Sequence, residues 1–477
     1  MSLRKKAVSG LVWTFAEQFG TQLIGFVVTV LLSRLLLPED FGVIALFAVV
    51  FSLASTILDG GMASSLVRTK QPTDYDYSTV FIYNVIVSIV AYCIIFFTAP
   101  LVSNFYNQPE LTAIIRVYCI SLLIGAFVII QRTILVKKMD FKTQFKIQLP
   151  SLILSGILGV FLAYQSFGVW ALVYSALFKS LLSTIQFWLL SSWRPKWYFD
   201  VNLFKHHFNF GYKMTLSAIL NTIFANIYTI VIGKCFSTIQ LGYYNRADVL
   251  KQLPVNNLSA ALNKVTFPLF VEISHDNIKL KEVYSKLMRV VIFIIAPVLT
   301  VMIITAEPLI RFLLTEKWLP IVPYFQILAV SGILYPLHAY NLNVLQVKGR
   351  SDLFLKLEVI KKVLIILVVL ISINFGMKGL VWGQVISSFL AFFINSHYSG
   401  KILKYNSLQQ FKDLLPVLFV TFGLGVCLAK LDSLFFYSVI DFVRIIALCL
   451  IYAILYLSIC FVLKFKEVNY IKEFIKK

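Results

Sequence analysis

Apolar residues occur along this chain in runs of about 20, a length that crosses about 30 Å of hydrocarbon as an α-helix. Short polar segments separate the runs. The strands of a membrane barrel would instead alternate in polarity and need only about 10 residues. The pattern therefore predicts about 14 membrane-spanning helices, at approximately 10–36, 41–66, 79–103, 111–135, 147–165, 168–191, 208–233, 239–270, 288–306, 321–347, 354–374, 377–399, 413–430 and 437–463.

The predicted helices repeat within the chain. The stretch "LPEDFGVIALFAVVF" around Phe41-Gly42 is matched by "STIQLGYYNRADVLK" around Leu241-Gly242. The stretch "FGVWALVYSALFKSLL" is matched by "FGMKGLVWGQVISSFL", and "LVKKMDFK" by "LQVKGRSD". Six predicted spans separate the two copies. Because six is even, both copies enter the membrane in the same direction.

This pattern predicts an all-α polytopic membrane protein with two parallel six-helix repeats and two further C-terminal helices. The N-lobe is residues 1–200, the C-lobe is 201–400, and residues 401–477 hold the two additional helices and a cytoplasmic tail. Parallel repeats are related by an axis along the membrane normal, and transporters built this way bind substrate between the repeats. The duplication therefore indicates transport through a central cavity.

Composition supports the membrane assignment. The 477 residues are 59% hydrophobic and 14% charged, with a mean hydropathy of +0.84, which excludes an ordinary soluble domain. The net charge of +21 does not indicate a nucleic-acid partner, because Lys and Arg concentrate in alternate loops. By the positive-inside rule, these loops and both termini are cytoplasmic. The basic groups lie at 4–6, 68–70, 132–146, 194–205, 279–289, 348–362, 401–412 and from 464 onward.

Sequence motifs for catalysis or cofactor binding are not found. The six cysteines show no metal-ligand spacing, and the chain has no GxxxxGK[ST] or HExxH motif. His206 and His207 are predicted to lie in a loop. We therefore expect a non-enzyme that uses no cofactor or metal.

Charged residues inside the spans are the candidate site, because each costs about 2.5–3.5 kcal/mol at mid-bilayer on insertion scales. They concentrate in the first two spans of each repeat. The cations are Lys213, Arg246, Lys251 and Lys264, and the principal acids are Glu17 and Asp248. Together they predict a net cationic cavity for an anionic cargo, in which Arg and Lys contact phosphate oxygens.

Each candidate also has a structural interpretation. Arg246 and Asp248 can pair with a neighbouring helix, and Lys251 can pair with Asp248 three residues before it. Pro254 removes a backbone hydrogen bond in the middle of the eighth span, which makes that helix either a hinge or a static kink. The remaining alternatives are snorkelling to the membrane surface for Lys213 and Lys264, and a polar contact between helices for Glu17.

Three segments carry a resemblance to a known family. They are "FGVIALFAVVFSLASTILDGGMASSLVRTKQPTDYDYSTVF", "QRTILVKKMDFK" and "FGVWALVYS". They resemble bacterial polysaccharide flippases, the Wzx-like lipopolysaccharide biosynthesis transporters of the multidrug/oligosaccharidyl-lipid/polysaccharide exporter superfamily. The resemblance implies 14 helices and alternating access. It also implies transfer of undecaprenyl-pyrophosphate-linked oligosaccharide from the cytoplasmic to the outer leaflet of the inner membrane, alongside polysaccharide polymerase or assembly proteins.

The resemblance also implies that cavity cations engage the pyrophosphate, which suggests Lys213, Arg246, Lys251 and Lys264. A proton- or sodium-coupled multidrug exporter of the same superfamily is the alternative. Such an exporter needs a predominantly acidic cavity, and Glu17 and Asp248 are the acids that could bind a coupling cation. A membrane glycosyltransferase is disfavoured, since the predicted loops are too short to form a catalytic domain.

Overall fold

The computed structural model describes the backbone of residues 3–436, 439–468 and 470, and their side chains except those of 3–12, 14–16 and 261–265. Within these ranges the chain is helical and forms no strand. The helices are α1 (Leu3–Leu35), α2 (Pro38–Asp59), α3 (Met62–Arg68), α4 (Asp74–Tyr106), α5 (Leu111–Tyr118), α6 (Ile120–Ala126), α7 (Ile129–Lys137), α8 (Phe141–Tyr164), α9 (Val169–Leu190), α10 (Val201–Ala225), α11 (Ile227–Cys235), α12 (Thr238–Glu272), α13 (Asn277–Ile304), α14 (Ala306–Leu314), α15 (Val322–Val347), α16 (Ser351–Ser372), α17 (Gly376–Leu403), α18 (Ser407–Leu431) and α19 (Asp441–Val462).

The helices confirm the all-α membrane class. Ten segments of the described chain are long and apolar enough to cross a membrane, and two bent pairs raise the number to 12. The bent pairs are α5–α6 with α7, at 47°, and α10 with α11, at 46°. One of the ten segments, Ser351–Leu403, contains both α16 and α17, and the polar helix α12 is not among the ten. These findings are compatible with the 14 predicted spans.

The chain divides into two compact units, Met1–Gly242 and Tyr243–Lys477. In the first unit α1 packs along α8, α8 packs on α9, and α4 packs on α5 and α6. Helix α10 packs against α2 and α3, so the seventh predicted span belongs to the first unit by its contacts. The predicted boundary between residues 200 and 201 separates two copies of a sequence repeat, whereas the two units are defined by packing. That boundary therefore stays a prediction.

The second unit is built on α13, α15, α17 and α18. Helix α13 packs on α15 and α18, α15 packs along α17, and α19 contacts α14 and α18. Tyr284 is fully buried in this core, and its hydroxyl lies 2.9 Å from both Asn341 Oδ1 and Gln410 Oε1. Since an unsatisfied polar group is costly in an apolar interior, this network selects one arrangement of α13, α15 and α18.

A buried histidine links α10 to α3 and α4 through hydrogen bonds. The structure places His206 and His207 inside α10, so the prediction of a loop was wrong. His207 Nε2 lies 3.0 Å from Asp76 Oδ1 of α4, and its Nδ1 lies 2.8 Å from Ser65 Oγ of α3. Asp200 caps the helix by accepting hydrogen bonds from backbone N–H groups, and these bonds hold the pKa of Asp200 below its usual value.

The first pair of repeated sequences forms a close helix crossing inside the first unit. A Cβ added to Gly42 would lie 1.9 Å from the carbonyl oxygen of Thr238, and one added to Gly242 would lie 1.9 Å from that of Pro38. The two contacts mirror each other, since each carbonyl lies four residues before the opposite glycine. Only glycine permits this approach of α2 and the first turn of α12.

The second pair of repeated sequences forms the same turn in both copies. Gly168 precedes α9 with φ of +53°, and Gly376 begins α17 with φ of +70°. L-residues with a side chain rarely adopt this conformation, so glycine is favoured at both positions. The matched "FG" dipeptides therefore have a conformational cause.

The third pair of repeated sequences supplies a lysine to a helix end in each unit. Lys137 Nζ donates to the carbonyl oxygens of Leu66, at 3.3 Å, Val67, at 3.0 Å, and Thr69 at the end of α3. Lys348 Nζ donates to the carbonyl oxygen of Ser274, just after α12. Positive charge suits the unpaired carbonyls at a helix C-terminus.

Candidate functional site

Helix α12 carries a ladder of polar side chains. Lys251 Nζ lies 2.5 Å from Asp248 Oδ1, which is the pairing expected as the alternative for this lysine. Gln252 Nε2 donates to Asp248 Oδ2, and Asn256 Nδ2 donates to Gln252 Oε1 at 3.3 Å. Lys251 is only 8% exposed, and its stem lies beside Gly332 of α15. A hydrogen-bonded ladder at four-residue spacing therefore follows one side of α12.

The other predicted cations have different surroundings. Arg246 is half-buried near the start of α12. Lys213 is exposed, and its ammonium lies 5.8 Å from the ring centroid of Tyr212. Helix α10 begins at Val201, twelve residues before Lys213, so this lysine lies about three turns into the helix. The side chain of Lys264 lies outside the described residues.

Pro254 does not interrupt its helix. Helix α12 continues as one element from Thr238 to Glu272, with Pro254 and Pro268 inside it. Proline removes one backbone hydrogen bond of the helix without ending it here. Its role as a hinge stays a prediction.

The first unit contains a cavity of about 690 Å³ between α2, α3, α6 and α7. We call it the first-unit cavity. Asp59 and Arg132 are its charged lining residues, and hydroxyl groups come from Ser55, Ser64, Ser121 and Thr133. Both charged side chains are exposed, so the cavity is open and can be hydrated. It carries both signs of charge.

Arg132 interacts electrostatically with two acids of the first unit. Its positive charge acts electrostatically on both Glu17 of α1 and Asp59 of α2. From the sequence Arg132 belongs to a cytoplasmic basic group, whereas the structure places it within α7. The available signal was its position inside the predicted span 111–135, just after Gln131. The structure thus groups predicted Glu17 with two residues that were not selected as candidates.

The second unit contains a cavity of about 590 Å³ between α12, α15, α16 and α17. We call it the second-unit cavity. Its polar lining residues are Asn256, Ser259, Tyr335, His338 and Lys361, and the remaining lining residues are Ala260, Ala339, Leu342 and Ala391. Asn256 is the last member of the ladder that begins at Asp248, so the predicted residues of α12 lead into this cavity.

The second-unit cavity contains residues that sequence reasoning missed. Lys361 lies within α16 and pairs with Glu358, although the sequence places it in a basic cytoplasmic group. His338 Nε2 lies 3.2 Å from Ser388 Oγ. A histidine inside the apolar span 321–347 was the signal that could have identified this site.

The two cavities share two corresponding spans of the repeats, although the second-unit cavity is lined by α16 and α17 as well. Both lie against the second span of the repeat, α2 or α12, and against its fourth span, α6–α7 or α15. The register that aligns Phe41 with Leu241 also aligns Asp59 with Ser259. One copy therefore has a carboxylate where the other has a hydroxyl, so the cavities differ in chemistry. Among the described residues, no cluster of three or more His, Cys, Asp or Glu side chains could hold a metal ion.

The arrangement is that of a multi-pass helical membrane protein. It is similar to a structure of "Lipid II flippase MurJ, inward closed conformation", with a TM-score of 0.75 and 16% identity over 94% of this chain and 99% of that one. It is also similar to an inward-facing multidrug resistance MATE family transporter of the MOP superfamily. There the TM-score is 0.61 and the identity 18%, over 83% of this chain and 95% of that one.

Sequence comparison identifies the family. Residues 31–323 match the family described as "Polysaccharide biosynthesis protein", and the chain belongs to this family. It is 26% identical to "Teichuronic acid biosynthesis protein TuaB" of Bacillus subtilis (strain 168), over 89% of each chain. It is 27% identical to "Lipopolysaccharide biosynthesis protein WzxC" of Escherichia coli (strain K12), over 90% of this chain and 89% of that one.

Proposed function

We propose that this protein is a flippase that moves a polyprenyl-pyrophosphate-linked oligosaccharide from the cytoplasmic to the outer leaflet of the bacterial inner membrane. Relatives named for teichuronic acid and lipopolysaccharide biosynthesis match nearly the whole chain, and the MurJ structure shares its fold. The protein acts as a transporter and not as an enzyme. The polysaccharide polymerase and assembly proteins are its proposed partners.

The observation that carries the proposal is the polarity of α12. This helix of 35 residues lies between apolar spans and bears the ladder from Asp248 to Asn256 with Lys251 in it. Charged and amide groups do not face lipid, because each unsatisfied group costs several kcal/mol in hydrocarbon. Helix α12 is therefore suited to line a hydrated path for a polar, anionic cargo.

We assign the cations Lys213, Arg246, Lys251 and Lys264 to contact with the pyrophosphate. Their charge suits phosphate oxygens, and Arg can bind two of them at once. Glu17 and Asp248 are proposed to bind a coupling cation, and Pro254 is proposed as the hinge of α12. The Lys and Arg groups in alternate loops support a cytoplasmic location for both termini.

A cation-coupled multidrug exporter is the second candidate. The observation that favours it is the first-unit cavity, where Asp59 and nearby Glu17 are acidic. Arg132 offsets part of that negative charge, and the polar part of the second-unit cavity has no carboxylate among its lining residues. An organic cation would find few favourable contacts in the second unit, so a lipid-linked anion is the better match.

A reconstitution experiment separates the two candidates. Purified protein is placed in vesicles with a fluorescent polyprenyl-pyrophosphate oligosaccharide, and the fraction of lipid exposed on each leaflet is followed with a membrane-impermeant quencher. We expect transfer of this lipid and no accumulation of an organic cation such as ethidium. Ethidium accumulation without lipid transfer would establish the exporter instead.

Variants test the cationic path in the same assay. Lys251→Ala and Arg246→Ala each remove a charge from α12, and we expect each to lower the transfer rate at least about tenfold. Lys138→Ala changes an exposed lysine outside the site and is the matched control. Full transfer by the double alanine variant would refute the assignment of these cations to the path.

A further inference from the structure

The linker between α9 and α10 exposes aromatic and apolar side chains. Residues 191–200 form no helix, and Trp197 is 91% exposed. Tyr198 and Phe199 are 44% and 42% exposed, and Val201 at the start of α10 is 54% exposed. Trp side chains are on average highly buried in folded proteins, so this exposure is unusual. We call the exposed side chains of residues 196–205 the linker surface.

Hydrogen bonds to α4 fix the backbone on both sides of Trp197. The backbone N–H of Lys196 donates to Ser78 Oγ at 2.9 Å. The backbone N–H of Asp200 donates to Thr79 Oγ1 at 3.2 Å. Because Trp197 lies between these two anchored residues, its exposure is a property of a segment that is held in place against α4.

The linker and the start of α10 carry an excess of positive charge. Residues 194–205 contain the cations Arg194, Lys196 and Lys205 but a single carboxylate, that of Asp200. This carboxylate accepts hydrogen bonds from two backbone N–H groups at the start of α10, at 2.7 and 3.1 Å. It is therefore directed at the helix N-terminus, where negative charge is stabilised. The two lysines are exposed, so the linker surface complements a negatively charged partner.

Neither lysine of the linker surface is firmly held by a carboxylate. Lys196 Nζ lies 3.2 Å from Asp74 Oδ2, and both side chains are about half exposed. Exposed ion pairs contribute little to stability, because water and salt weaken them. A phosphate oxygen can therefore replace Asp74 as the partner of Lys196. Lys205 forms no ion pair with any residue that the structure describes.

The position of the linker surface favours a membrane as its partner. Helix α9 is long and apolar enough to cross a membrane, and α10 together with α11 passes the same test as a bent pair. A short linker that joins two spans lies where the spans leave the hydrocarbon, at the level of the lipid headgroups.

Helix α10 continues the linker surface toward the hydrocarbon. Val201, Phe208, Tyr212 and Leu216 are all exposed, and their spacing of seven, four and four residues places them on one side of the helix. Lys205 lies on the same side, four residues after Val201. An exposed apolar row along a helix of a candidate span is suited to lipid contact, and the row begins at the linker surface.

We propose that the linker surface binds the headgroups of anionic phospholipids, with the ring of Trp197 in the interfacial layer of the bilayer. Tryptophan is enriched in this layer because its ring is amphipathic. Lys196 and Lys205 contact the lipid phosphates, and each cation near an anionic membrane surface favours binding about fivefold. This lipid site does not depend on the proposed flippase function.

Fluorescence quenching by brominated lipids tests the position of Trp197. Full-length protein is placed in nanodiscs whose phosphatidylcholine carries bromine at the headgroup end of its acyl chains. The signal of Trp197 is the difference in fluorescence between the wild type and Trp197→Phe. We expect the brominated lipid to quench this signal strongly and aqueous iodide to quench it much less.

A second comparison tests the preference for anionic headgroups. Brominated phosphatidylglycerol replaces brominated phosphatidylcholine at the same mole fraction, and the ratio of quenching gives the relative affinity for the two lipids. We expect the wild type to prefer phosphatidylglycerol at least about fivefold. The double variant Lys196→Gln, Lys205→Gln should lose this preference. Lys378→Gln removes an exposed lysine at the start of α17, and as the matched control it should retain the preference.

Three results would overturn the proposal. Quenching of the Trp197 signal by iodide and not by brominated lipid would place the ring in water, where a protein partner is the better occupant. Equal quenching by the two brominated lipids would show that the linker surface does not select anionic headgroups. An unchanged preference in the double lysine variant would assign that selection to other residues.

Discussion

At the scale of single residues, the role of a charged side chain inside a membrane helix depends on which residues it contacts. Lys251 alone suggests a free cation for cargo, but the structure pairs it with Asp248 in a buried position. Such a pair can be a static contact or a lysine held ready for exchange with a phosphate. The two roles predict different responses to removal of each partner.

We expect Asp248→Asn and Lys251→Ala to change pyrophosphate binding in opposite directions. Asp248 competes with a phosphate for the lysine, so its neutralisation should tighten binding of polyprenyl pyrophosphate severalfold, while Lys251→Ala should weaken it about tenfold. Titration of the purified variants in nanodiscs measures both effects. Equal weakening in the two variants would indicate a purely structural pair.

His207 offers a second prediction at this scale. His207→Leu removes two hydrogen bonds in a buried site and leaves Asp76 and Ser65 without that partner. We expect the free energy of unfolding to fall by about 2–4 kcal/mol. The exposed neighbour His206 provides the control, since His206→Leu should change it by less than about 0.5 kcal/mol. Equilibrium unfolding in detergent compares them, and equal effects would contradict the role of His207.

At the scale of helices, the repeated sequence motifs have identifiable physical causes. The first places α2 and the start of α12 in close contact, and the second forms a positive-φ turn before α9 and α17. Matching stretches of sequence thus mark places where a helix crossing or a turn restricts the residue type. The helix interiors between them are free to diverge as long as they stay apolar.

The helix crossing predicts equal sensitivity at its two glycines. Gly42→Ala and Gly242→Ala would each place a Cβ 1.9 Å from a backbone carbonyl oxygen, which forces the helices apart. We expect each to lower the free energy of unfolding by about 1–3 kcal/mol. Gly25→Ala is the control, because its added Cβ meets nothing within 4 Å. Equilibrium unfolding should show no loss for Gly25→Ala, and tolerance of alanine at Gly42 would contradict the crossing.

At the scale of the whole molecule, each of the two units contains a cavity, and the two cavities are lined by chemically different residues. The first-unit cavity contains Asp59 and Arg132, whereas the second-unit cavity contains neutral polar groups and a paired lysine. The residues that line the two cavities therefore differ in charge. A cargo with a charged and an uncharged part suits such a division.

Lys137 of the first unit and Lys348 of the second unit should each stabilise only the helix end that it contacts. Lys137→Met removes hydrogen bonds to three carbonyls at the end of α3, while Lys348→Met removes one hydrogen bond after α12. We expect faster amide hydrogen exchange near residues 66–69 in the first variant, and a smaller increase near 272–274 in the second. Lys138→Met at an exposed position is the control. Unchanged exchange in both variants would show that the lysines do not hold these helix ends.

The sequence by itself determined the class, the approximate positions of the spans and the duplication. Each span must cover the hydrocarbon thickness, so the spans are visible as apolar runs along the chain. Glycines at the helix crossing and turns, and lysines at helix ends, account for the matching motifs of the two repeats. It also indicated α12 as the polar helix, because its charges are adjacent in the chain.

Only the tertiary structure decided which distant residues meet. Arg132 was placed among loop charges, yet it acts on Glu17 and Asp59. Lys361 and His338 were not selected, yet they line one cavity with Asn256. These groupings depend on how each helix is rotated and on which helices pack together. Such contacts join residues far apart in the chain, so no local pattern encodes them.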